Sequence, residues 1–81
     1  MLKSDLIVNH IYAAKRPSSV GLFGYYNDRQ ILWMGELSVQ YDSPTVKDGR
    51  PYPKVSIENF LKWAGEDITK IMPVGAWREK K

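Results

Sequence analysis

The stretch that most constrains this chain is residues 56–71, SIENFLKWAGEDITKI. Ile57, Phe60, Leu61, Ala64, Ile68 and Ile71 recur at the spacing that puts side chains on one face at about 3.6 residues per turn. At roughly 100° per residue they form one apolar stripe, with Glu58, Asn59, Lys62, Glu66 and Lys70 on the other side. Ser56 suits an N-cap, because its hydroxyl accepts from an otherwise unpaired backbone N–H. Val55 before the cap and Phe60 after it have the spacing of a hydrophobic staple, and Glu58 in the first turn suits the helix dipole. Pro73 disfavours continuation past Met72. The spacing therefore predicts a helix over residues 57–71. Gly65 is its weak point: it costs about 1 kcal/mol relative to Ala in a helix interior, so it marks a bend or an end one turn early.

A helix with a single apolar stripe has to cover another layer, and the rest of the chain reads as strands. Residues 6–14 are apolar at both parities and rich in β-branched side chains, which favours a strand; Ser4 and Asp5 offer a short capped helix as the alternative. Lys15-Arg16-Pro17 is a basic loop. Residues 20–41 read as a three-strand meander over about 21–26, 29–34 and 37–41. Asn27-Asp28 and Gly35-Glu36 serve as its turns, Gly35 supplying positive φ. Leu37, Val39 and Tyr41 alternate with Ser38 and Gln40, the pattern of a half-buried antiparallel strand, and so predict the seat of the helix. Trp33 is expected in the core. Residues 42–53, DSPTVKDGRPYP, form a long irregular connection, and Pro51 and Pro53 bar a central strand there. After the helix comes an extended tail, expected to fray over 78–81.

The expected architecture is α+β: a small twisted antiparallel sheet of three to four strands, SH3-like in curl in its finer form, with one C-terminal amphipathic helix packed on it. A chain of 81 residues makes one domain, with the sheet over about 6–55, the helix over about 57–71 and the tail over 72–81. Ten aromatics and a 43% hydrophobic fraction suit a folded core rather than a disordered chain. With no cysteine, disulfide frameworks and cysteine-based zinc sites are excluded. No apolar run approaches the ~20 residues that span a bilayer. Asp5, Asn9 and His10 interrupt what would be a signal-peptide core, so the expected location is cytoplasmic.

Catalytic signatures are lacking. His10 is the sole histidine, no cysteine is available, and no carboxylate pair or metal-ligand spacing stands out. No P-loop or dinucleotide fingerprint occurs. Gly21-Leu22-Phe23-Gly24 matches G-x-x-G in letters, but its apolar middle reads as a bulge or a close backbone approach. No enzyme activity and no cofactor are expected.

What remains is binding. The net charge is +3. Lys and Arg concentrate in the N-terminal segment, the 46–55 loop and the tail, while the strands and the helix are mildly acidic. Such segregation is either ordinary solubilising charge or a basic patch. Trp63 at the stripe margin, Trp77 in the tail and Tyr52 in the loop are candidate anchors for a protein partner or a second copy of the chain, since Trp, Tyr and Arg dominate interface energetics. Lys15, Arg16, Lys47, Arg50 and Lys54 are candidate phosphate contacts, with Tyr52 stacking on a base. In size, charge and lack of cysteine the chain resembles the short basic accessory proteins of phages and mobile elements, a likeness of composition alone. The reading drawn is a small non-enzymatic interaction module, inhibitor or accessory protein. The alternative is a nucleic-acid-binding regulator that uses the basic loop.

Overall fold

The computed structural model of the chain describes residues 1–21 and 24–80. In chain order its elements are β1 (Ile11–Ala14), β2 (Ser19–Val20), β3 (Tyr25–Tyr26), β4 (Arg29–Met34), β5 (Ser38–Asp42), β6 (Lys54–Ser56), α1 (Ile57–Trp63) and β7 (Ala64–Asp67). Short 3-10 turns cover Lys3–Asp5 and Thr69–Ile71. The class is α+β: the described residues form one helix and a main sheet of five strands in the order β6-β5-β4-β1-β7. A separate two-stranded ribbon joins β2 and β3. This exceeds the three to four strands expected. Among the described residues no helix is long and apolar enough to cross a membrane.

Phe60 is the centre of the core. It is fully buried, edge-on to Tyr12 at 5.8 Å and 86°, and tilted against Tyr41 at 6.2 Å and Trp63 at 5.2 Å. Leu6, Ile31, Val39, Ile57 and Ala64 complete the buried cluster. Each large side chain wholly removed from water contributes about 1.5–3 kcal/mol, so this layer outweighs any local propensity. Tyr12 also anchors the N-terminal turn: its hydroxyl accepts from the Ile7 N–H at 2.8 Å and donates to the Asp5 carbonyl at 2.9 Å.

The helix starts as its cap predicts, the Asn59 N–H donating to Ser56 Oγ at 3.0 Å. It ends at Trp63, not at Ile71. From Ala64 the chain becomes β7 and pairs with β1 in the register Ala14↔Ala64, Ala13↔Glu66 and Tyr12↔Asp67. Gly65 permits this close approach. A Cβ there would lie 3.1 Å from the Ala14 carbonyl oxygen and 3.2 Å from Lys15 Cα. The stripe misleads because the register slips at Gly65: Ala64 stands opposite Ala14, and the Ile68 N–H donates to the Ile11 carbonyl, so both side chains are buried without sharing a helical face. Ile71, the last residue of the stripe, is 66% exposed.

Other expectations also give way to tertiary structure. The strand expected over 6–14 exists only over 11–14, because Asn9 takes a left-handed φ of 74° that breaks it. The first meander strand is replaced by the β2–β3 ribbon, whose connection includes Leu22 and Phe23, outside the described residues. Trp33 is 46% exposed instead of core. Ile31 pairs with Tyr41 and Trp33 with Gln40, so the extra residue Leu32 forms a bulge that sends Trp33 to the opposite face. Leu37 precedes β5 in the turn and is 80% exposed, whereas Val39 and Tyr41 are buried as expected. Gly35 is not at positive φ; a Cβ there would meet the exposed Trp33 ring at 2.6 Å.

The tail does not fray over 78–80. The Tyr26 N–H donates to the Arg78 carbonyl at 3.0 Å, the Lys80 N–H donates to the Gly24 carbonyl at 2.7 Å, and Tyr25 bridges Glu79. The tail thus extends the β2–β3 ribbon. Lys81 lies outside the described residues.

Candidate binding site

The site begins with the clamp that fixes the tail. Asp28 is 1% exposed, and its two carboxylate oxygens accept from Arg78 Nε and Nη2, each at 2.8 Å. The Arg78 guanidinium also stacks over Tyr26 at 4.2 Å. The Asp28 hydrogen bonds hold that guanidinium's pKa above its ordinary value. Paired N–H···O geometry of this kind is both strong and directional. It determines where the preceding residue, Trp77, can sit.

The opposite wall is the 42–53 connection, irregular as expected but ordered by its own hydrogen bonds. Asp42 Oδ1 accepts from the Ser43 N–H at 2.8 Å, and buried Ser43 accepts from the Thr45 N–H at 3.2 Å. The Val46 N–H to Ser43 carbonyl bond and the Arg50 N–H to Lys47 carbonyl bond close two turns. Gly49, at φ 80°, supplies the left-handed residue of the second. Gln40 Nε2 donates to the Tyr52 carbonyl at 3.1 Å, which ties the loop's end to β5.

Between these walls lies an open cleft of about 350 Å³. Tyr25 from β3, Tyr52 from the loop and Trp77 from the tail line it, with Lys47 and Arg50 balanced by Asp42 and Asp48. A neighbouring hollow of about 270 Å³, which includes Ile11, Gln30 and Pro73, shares Asp42 and Trp77 with it. The half-buried Trp77 therefore borders both depressions. Tyr and Trp suit such a surface because each offers a large apolar face together with a polar handle.

The structure thus brings Tyr52, Trp77, Lys47 and Arg50 together and sets the other named residues elsewhere. Lys54 pairs across β5–β6 with Gln40, and its Nζ lies 4.9 Å from the Trp33 ring. Lys15 and Arg16 line a different cavity with Trp63. Tyr25, Asp28 and Arg78 were not singled out from sequence. Asp28 and Arg78 are fifty residues apart, and no periodicity or motif couples them.

His10 also has an unexpected partner. Its Nδ1 hydrogen-bonds Asp67 Oδ2 at 2.6 Å, joining β1 to the end of β7. Burial alone would raise the Asp67 pKa, but hydrogen bonds from His10 and Thr69 more than offset it and hold the carboxyl below its ordinary value. The neighbouring Thr69 hydroxyl donates to Asp67 and accepts from the Ile11 N–H, so both of its roles are engaged. Among the described residues no group of three or more His, Asp or Glu side chains is placed to hold a metal ion. Comparison with known protein families, curated proteins and solved structures found no match to this chain.

Proposed function

We propose that the protein is a non-enzymatic protein-interaction module whose ligand is an extended protein segment lying across Trp77. The observation that carries this reading is the convergence of Tyr25, Tyr52 and Trp77, from three separate parts of the chain, on one cleft, with Trp77 also lining a second hollow. Aromatic-lined grooves of this kind take extended, proline-containing segments, whose preformed backbone loses little entropy on binding. The balance of Lys47 and Arg50 against Asp42 and Asp48 favours a ligand of mixed or neutral charge over a polyanion. An SH3-like sheet belongs to the same proposal. The return of β7 onto β1 beside the β4–β5–β6 meander supports it.

The test is selection from a displayed library of extended peptides, followed by titration of the selected peptides against the full chain and its variants. Tyr52→Ala and Trp77→Ala are each expected to weaken binding at least about tenfold, a loss of about 1.4 kcal/mol. Selected peptides that bind both variants as well as the parent would refute the assignment, as would a library yielding no specific binder.

A further inference from the structure

A second aromatic site differs from the first in its charge. Trp63 closes α1 and is held from behind: Phe60 packs on it at 5.2 Å, and the Arg29 guanidinium lies 4.1 Å from its ring centroid. Arg29 is itself sandwiched, 4.4 Å from Tyr41. Burial lowers its pKa, yet a guanidinium remains charged at any ordinary pH. The ring is therefore braced by the core and carries a fixed positive charge over one face.

The fold also brings cations beside this ring. The Lys15 N–H donates to the Trp63 carbonyl at 2.8 Å, which fixes the end of β1 beside the ring. Ala14, Lys15, Arg16, Lys62 and Trp63 line a cavity of about 390 Å³, and no carboxylate is among them. Lys62 meets Glu58 at 3.5 Å, but both side chains are largely exposed, and a solvent-facing pair of this kind restrains Lys62 little. Among the described residues Lys15 and Arg16 form no salt bridge. The helix dipole accounts for Lys62 in the last turn. It does not account for two further cations that line one cavity with an aromatic ring.

From this arrangement we infer a binding site for single-stranded nucleic acid, in which a base stacks on Trp63 and the flanking phosphates meet Lys15, Arg16 and Lys62. Single strands are the fitting ligand because their bases can be splayed onto a ring, whereas a duplex keeps its bases stacked internally. The site shares no residue with the Trp77 cleft, so each proposal can fail without the other.

The experiment is fluorescence anisotropy of labelled oligothymidylate and oligouridylate with the full chain, from low to physiological salt, against a duplex of equal length and with inorganic polyphosphate as competitor. Three phosphate contacts predict a log–log salt slope of about −2, at roughly 0.7 per contact. Lys15→Glu with Arg16→Glu, both exposed and checked for folding by circular dichroism, is expected to lower affinity at least about tenfold and to flatten the slope by more than about 1. Lys70→Ala with Lys80→Ala, an equal loss of charge at exposed positions outside both sites, should leave binding unchanged. In a Trp33→Phe, Trp77→Phe background, Trp63 emission should be quenched as unlabelled oligonucleotide is added. Absence of binding at low salt, equal affinity for duplex, equal competition by polyphosphate, indifference to the charge reversals, or unquenched Trp63 would each overturn the inference.

Discussion

Replacing Arg78 with Ala tests the central structural argument. Asp28 is 1% exposed, and Arg78 supplies two hydrogen bonds to its carboxylate, both 2.8 Å long. Removing one partner of a buried pair leaves an uncompensated charge and costs about 3–5 kcal/mol. The Arg78 side chain is 21% exposed, so water can partly replace it and the lower end applies. The lost stacking on Tyr26 adds about 0.5–1 kcal/mol. The expected destabilisation is about 3.5–4 kcal/mol, a large share of the roughly 4–12 kcal/mol typical of a domain this size. Thermal unfolding followed by circular dichroism should show Tm falling by about 14–32 °C. The tail should loosen as well, and Trp77 emission should shift to the red. Adding Asp28→Asn to Arg78→Ala removes the orphaned charge and should restore at least about 1 kcal/mol. A loss below about 0.5 kcal/mol for Arg78→Ala, or no recovery in the double variant, would refute the claim that this pair fixes the tail.

Three further outcomes follow from local geometry. Gly65→Ala should destabilise by about 1–3 kcal/mol in urea unfolding, because its Cβ would press on the β1 backbone at Ala14 and Lys15, which cannot move aside. Gly35→Ala should cost less than about 1 kcal/mol despite a nominal 2.6 Å contact, because the obstacle is the exposed Trp33 ring, which can rotate away; a changed Trp33 emission would report the movement. The Asp67 carboxyl titrates below its ordinary value. Its contribution is therefore present above the unfolded pKa of about 4 and is lost as pH falls through the lower folded value. Its side chain is 34% exposed, which keeps that contribution below about 1 kcal/mol. Urea midpoints of the parent and of Asp67→Asn should accordingly converge in acid and separate above about pH 4.

Local signals in the sequence determined the pieces whose physics is local. Ser56 caps α1 because its hydroxyl reaches a backbone N–H three residues on, an interaction that depends on no other part of the chain. The prolines and turn residues of 43–53 keep that connection out of the sheet, and the runs expected over 29–34 and 37–41 become β4 and β5. Tertiary structure decided what depends on partners distant in sequence. Whether the apolar stripe continued as helix after Ala64 was decided by β1, which offered bulged strand pairing to a segment that Gly65 already weakened as a helix. A single bulged residue decided that Trp33 faces outward. The composition of both candidate sites was likewise beyond local reading. Tyr52 and Trp77 were recognisable as anchors by residue type. Their meeting with Tyr25 depends on the buried Asp28–Arg78 pair that docks the tail. The segregation of balanced charge around Trp77 from unbalanced charge around Trp63 arises only when the chain closes. Periodicity reports which side chains leave water, whereas pairing across fifty residues depends on geometry that no short window contains.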